Sequence, residues 1–165
     1  MQHVQPRSTT SALVLTAVLI ALTTLFTMYT KIPVPGIRGY FNVGDVVIMT
    51  SALLLGRKYG AYIGAIGPAL ADLFLGYAIF VPITFVVKGI EGYLVGTIYN
   101  HKTTTSALVA TIVGGIVIVA GYFIAEYFVF DPGVAIASIL TNVIQAVMSV
   151  IISMILYAIL RRRLA

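Results

Sequence analysis

Residues 81–100 read VPITFVVKGIEGYLVGTIYN, a run of membrane-crossing length with a lysine and a glutamate near its middle. About 20 apolar residues in a helix cross a bilayer. A charge at mid-membrane costs about 2.5–3.5 kcal/mol by insertion scales. The run therefore reads as a helix with one face turned away from lipid. At 100° per residue, Thr84, Lys88 and Glu91 fall within about 60° of one another, with Phe85 and Gly92 beside them. Val86, Ile90, Leu94 and Thr97 cover the opposite side. Lys88 and Glu91 are three residues apart, a spacing that lets them pair. Such a pair either ties packed helices together or lines a ligand cavity. Intramembrane ionisable groups default to function, which favours the cavity.

The composition extends this reading to the whole chain. Of its 165 residues, 60% are hydrophobic and only 9% charged, and the mean hydropathy is +1.06. A soluble domain of that size needs far more charged surface. The expected fold is an all-α integral membrane protein, one membrane domain over residues 1–165 with six transmembrane helices. Their approximate bounds are 10–29, 44–56, 59–77, 82–100, 106–128 and 133–160. The second is short for a span, so it begins deep in the membrane or tilts little. The breaks KIPVPGIRGYFN, RK, GYAIFVP, NHKTT and FDPG leave no room for a soluble domain or a long linker. The first apolar run exceeds the roughly 7–15 residues of a signal-peptide core, and reads as a retained helix.

Charge sets the expected orientation. With both termini on one side, that side holds Arg7, Arg57, Lys58, Lys102, Arg161, Arg162 and Arg163, against Lys31 and Arg38 on the other. The positive-inside rule then places the N- and C-termini in the cytoplasm. The net charge of +5 is accounted for by membrane orientation, and no nucleic-acid partner is expected. The loop at 30–43 faces outward, and loops of that length are often lids or binding elements.

Several chemistries lack residues. There is no cysteine, and both histidines, His3 and His101, lie outside the apolar runs. Thiolate or paired-histidine metal sites and intramembrane triads are therefore excluded, and neither a metal site nor catalysis is expected.

The sixth segment carries a second polar stripe: Ser138, Asn142, Gln145, Ser149 and Ser153. Small hydroxyls in such a stripe commonly act as packing glue. Asn142 and Gln145 each offer a donor and an acceptor, and are the better ligand candidates. In the third segment Ala61, Ala65, Pro68, Ala69, Asp72 and Gly76 make a face of mostly small residues, beside the GxxxG of Gly60 and Gly64. That face lets another helix approach closely. Asp72 reads as structural, capping a neighbour or pairing with Arg38 or Lys88. Aromatics gather toward the outer side, where the interfacial belt explains many of them. Tyr40, Phe41 and Phe85 are candidates to stack on a flat ring.

GYFNVGDVVIMTSALLLG, followed by GAYIGAIGPALADLFLGYAIFVPITFVVKGIEGYLVG, resembles the S components of energy-coupling factor (ECF) transporters, in particular the riboflavin-type group. The likeness covers about residues 10–100. Its most specific stretches are FNVGD, Gly67 to Tyr77 and Pro82 to Gly92. It implies a multi-pass subunit of a prokaryotic cell membrane that captures a vitamin near the outer face, with the first long loop as lid. It implies, too, that Ala17 and Ala21 fit the family's docking pattern for the transmembrane coupling protein, EcfT. ATP hydrolysis would belong to two separate ATPase subunits, and this chain has no GxxxxGK[ST] with which to bind nucleotide. No cofactor of its own is expected.

The substrate-binding set expected is thus Tyr40, Phe41, Thr84, Phe85, Lys88, Glu91, Asn142 and Gln145. These residues suit a flat, polar heteroaromatic vitamin. The absence of tryptophan and the small side chains favour pyridoxine or hydroxymethylpyrimidine over riboflavin. The competing class is a stand-alone proton- or cation-coupled transporter with Lys88 and Glu91 as relay, although no inverted repeat or pair of broken helices is visible.

Overall fold

A computed structural model describes residues 9–30, 32–33, 40–100 and 103–164. It contains six helices: α1 (Thr9–Tyr29), α2 (Gly44–Leu55), α3 (Arg57–Phe74), α4 (Val81–Ile98), α5 (Thr104–Val129) and α6 (Pro132–Leu164). Between α1 and α2 two short strands, β1 (Ile32–Pro33) and β2 (Tyr40–Phe41), pair antiparallel with Ile32 opposite Phe41. Four helices, α1, α4, α5 and α6, are long and apolar enough to cross a membrane. The outward faces of these four, at Leu13, Val86, Ile116 and Leu140 for example, are exposed and aliphatic. That is the surface a bilayer solvates.

The chain's own chemistry explains where helices stop. Gly56 alone separates α2 from α3; it sits at φ 87°, and its N–H bonds Ala52 O at 3.0 Å. Only glycine takes that conformation without strain, so the turn precedes the RK pair and Arg57 opens α3. At the other end, Gly76 at φ 80° closes α3 earlier than the expected residue 77. Tyr77 N donates to Asp72 O at 2.8 Å and Gly76 N to Leu73 O at 3.2 Å. This paired arrangement satisfies the last carbonyls of the helix. Asp131 Oδ1 caps α6 by accepting from Gly133 N (2.7 Å) and Val134 N (3.0 Å), with Pro132 in the first helical position.

Helix α2, about 18 Å long at 1.5 Å per residue, is bordered by α1, α3, α4 and α6 and is mostly buried. Its first turn is enclosed by the neighbouring helices, with Asp45 wholly shielded. The small-residue side of α3 faces inward. A methyl group added at Gly60 would lie 2.6 Å from Gly92 O, and one at Gly64 would strike Lys88 O. Helices α3 and α4 therefore meet backbone to backbone, which holds the buried face of α4 in a fixed place. The close approach readable in the sequence is thus used within the chain. At the end holding the termini, Tyr99 and Tyr157 hydrogen-bond hydroxyl to hydroxyl, and Arg161 lies over the Tyr157 ring at 5.8 Å.

Candidate functional site

The ends of α1, α3 and α5 and the starts of α2, α4 and α6 meet at the end of the bundle away from the termini. The polar chemistry of the described residues converges there around a small cavity of about 40 Å³.

Its floor is Lys88. The ammonium bonds Asp45 Oδ1 at 2.6 Å and lies 3.6 Å from Glu91 Oε2, and all three residues are at most 1% exposed. One cation thus serves two carboxyl groups, the nearer from α2 and the farther from its own helix. Nζ also lies 5.3 Å from the centre of the Tyr122 ring, within reach of a cation–π contact. Asp45 Oδ2 accepts from Gln145 Nε2 at 2.7 Å, while Gln145 Oε1 accepts from Asn42 N at 3.0 Å. Asn42 Oδ1 in turn accepts from Gly44 N at 2.8 Å. A single amide on α6 therefore clamps both the buried acid and the backbone just after β2.

The walls differ in character. Phe80 and Tyr122 supply rings, with Tyr122 OH 3.0 Å from Thr84 Oγ1. Phe80 stacks on Phe130 at 5.3 Å between centres. Asp72 and Glu126 supply carboxyl groups, and the Ser138 hydroxyl donates to Glu126 Oε2. Asn142, one turn beyond Ser138 on the same face of α6, also lines the cavity, and its Nδ2 has no hydrogen-bond partner.

Of the residues singled out in the sequence, Thr84, Lys88, Asn142 and Gln145 line this cavity, and Glu91 lies beneath it. Phe85 does not line it: the ring is 49% exposed on the lateral surface. Following Thr84 directly, it is rotated about 100° from it, enough to leave the inward face. Tyr40 and Phe41 contribute the backbone of β2; their side chains, like Arg38, lie outside the described residues. Ala17 and Ala21 are exposed on the outer side of α1, whereas Thr24 turns inward and donates to Gly67 O at 2.9 Å.

Asp45, Glu126 and Tyr122 were not anticipated as site residues. Each left a trace. Asp45 is an acid in the opening turn of an apolar segment, and Glu126 is the one charge in the fifth segment. Tyr122 was legible only as a belt aromatic. Among the described residues no cluster of three or more His, Cys, Asp or Glu has the arrangement of a metal site.

Comparison with known proteins agrees with this architecture. A six-helix bundle with four helices long and apolar enough to cross a membrane marks a multi-pass membrane protein. Residues 7–162 match the family described as ECF-type riboflavin transporter, S component, and the chain belongs to that family. It is an ECF S component, a vitamin transporter subunit that works with an ECF transporter module. The chain is 41% identical over 144 residues to an uncharacterized protein in the gap 3′ region of Pyrococcus woesei, covering 86% of this chain and 95% of that one. It is 30% identical over 152 residues to the thiamine precursor transporter HmpT of Lactococcus lactis subsp. cremoris, covering 91% and 87%. The solved S component of a bacterial ECF transporter has the same fold, with a TM-score of 0.78 at 21% identity, over 95% of this chain and 99% of that one.

Proposed function

We propose that this chain captures a single-ring heteroaromatic vitamin or vitamin precursor, of the hydroxymethylpyrimidine or pyridoxine kind, in the cavity above Lys88. The outer face of the membrane is the side of capture, with the termini cytoplasmic, as the distribution of basic residues favours. Delivery requires docking on a coupling protein, EcfT, through the side of α1 that exposes Ala17 and Ala21. Two partner ATPases hydrolyse the ATP, and the chain binds no cofactor of its own.

The observation that carries this is the make-up of the cavity. Two rings, Phe80 and Tyr122, border it together with the free amide of Asn142 and the carboxyl of Glu126. Flat faces with a few convergent polar groups suit an aromatic ring with polar substituents. The confined space favours one ring over the three fused rings and polyol chain of riboflavin. The similarity to a protein named as a thiamine precursor transporter points the same way. Phe80 and Tyr122, rather than Phe85, supply the stacking faces.

Uptake into cells expressing this chain with and without a coupling protein and its ATPases tests the proposal. Accumulation of labelled hydroxymethylpyrimidine or pyridoxine only with the ATPases, and insensitive to an uncoupler, is the expected result. Uptake by the chain alone that collapses with an uncoupler would instead establish an ion-coupled carrier using Lys88 and Glu91.

A further inference from the structure

Gln145 lines the cavity, yet its amide is held by the protein on both sides. Nε2 donates to Asp45 Oδ2 at 2.7 Å and Oε1 accepts from Asn42 N at 3.0 Å. The orientation of the amide is forced. Turned over, it would set its N–H against the Asn42 N–H and its oxygen against a carboxyl group. The other oxygen of that carboxyl, Asp45 Oδ1, accepts from the Lys88 ammonium at 2.6 Å. A chain of hydrogen bonds thus joins Asn42, Gln145, Asp45 and Lys88, from the end of β2 through α6 and α2 to α4. Its two ends, Asn42 and Lys88, both line the cavity.

Both ends need such an anchor. Lys88 carries its ammonium on a flexible four-carbon stem, so the place of the charge depends on what holds it. Asp45 is the nearer holder, while Glu91 Oε2 at 3.6 Å is beyond hydrogen-bond distance. Asn42 is the first residue after β2, where the chain turns into α2. Its side chain accepts from Gly44 N at 2.8 Å, and the next residue, Val43, donates to Thr30 Oγ1 at 3.0 Å. Gln145 adds the tie from this turn to α6.

Resting on the function proposed above, we infer that Gln145 is the positioning residue of the cavity. It sets ligand affinity through Asp45 and Lys88 rather than by its own contact with the ring. A floor already held in place loses little further freedom when the ligand arrives, and that raises affinity. Hydrogen bonds linked in a chain also strengthen one another, so a ligand that touches Lys88 firms the hold on Asn42.

Exchanging amide and carboxyl between the two side chains separates this role from a direct contact. Gln145→Glu keeps an oxygen for Asn42 N but sets a second carboxyl group against Asp45. Adding Asp45→Asn restores the link at unchanged net charge, because the new amide accepts from Lys88 and donates to the new carboxyl group.

The test is a double-mutant cycle on the full chain in lipid nanodiscs, titrated with hydroxymethylpyrimidine and pyridoxine below the melting transition of each variant. Gln145→Glu should lose about 10- to 100-fold in affinity, and the exchanged pair should return to within about fivefold of the parent. Gln145→Met, of similar size and uncharged, keeps the test open if Gln145→Glu does not fold. It should lose about tenfold in the parent background and less than about threefold beside Asp45→Asn. An exchanged pair no better than Gln145→Glu, or equal losses for Gln145→Met in both backgrounds, would mark a direct contact and overturn this inference alone. So would variants that melt lower yet bind like the parent, the mark of a structural role only. Failure of every ring to bind the parent overturns the proposed function and this inference with it.

Discussion

Lys88 is the group whose removal should damage this protein most. At an effective dielectric constant of about 20, a unit charge pair attracts by about 6 kcal/mol at the 2.6 Å separation to Asp45 and by about 5 kcal/mol at the 3.6 Å separation to Glu91, before desolvation. Desolvation of three buried groups offsets most of that, so the net value of the triad is small. Breaking it is another matter. Lys88→Met leaves two buried carboxyl groups facing each other with no cation, a loss of about 3–5 kcal/mol. Asp45→Asn keeps one of the two acceptor oxygens, sets an amide N–H against either Lys88 Nζ or Gln145 Nε2, and leaves Lys88 with Glu91, so the loss is about 1–3 kcal/mol. Glu91 accepts no hydrogen bond in the structure, and Glu91→Gln should cost least. At about 2–4 °C per kcal/mol for a chain of this size, Lys88→Met should melt about 6–20 °C below the parent. The chain has no tryptophan, so far-ultraviolet circular dichroism in detergent is the suitable probe. A melting order other than Lys88→Met lowest, then Asp45→Asn, then Glu91→Gln would refute the shared-cation arrangement.

Three further outcomes are expected. Asn142→Ala should weaken ligand binding by about 5- to 10-fold, the value of one hydrogen bond, while leaving the melting temperature unchanged, because its amide nitrogen bonds nothing in the protein; titration and melting curves together check this. Gly92→Ala would drive a methyl group into Gly60 O and should destabilise by about 1–3 kcal/mol, with a lower melting temperature, since neither backbone can yield. Ala17→Trp, on the exposed side of α1, should leave binding intact and abolish co-purification with the coupling protein; full assembly of that variant would disprove the assignment of α1 as docking helix.

The inward face of α4 was legible in the sequence because helical periodicity and the cost of a buried charge act on the same residues. Thr84, Lys88 and Glu91 could not all face lipid. The stripe on α6 was readable for the same reason, and Asn142 and Gln145 stood out by their chemistry. The partner of Lys88 was not readable as such. Periodicity places groups on one helix; it is silent on which of two carboxyls an ammonium meets across helices, and Asp45 on α2 lies nearer than Glu91. Glu126 was missed although its charge is isolated in an apolar segment, since its role depends on Ser138 arriving from α6. The small-residue face of α3 signalled close approach correctly but not its target, which is α4. Phe85 failed as a cavity residue because neighbours in sequence are about 100° apart on a helix.

The most direct measurement of the central claim is mass spectrometry of the small molecules released from the purified chain, followed by titration of each one found. A single-ring compound of the aminopyrimidine or pyridoxine kind, lost from Asn142→Ala, is the result this account predicts. Release of riboflavin, visible by its yellow colour, would contradict it.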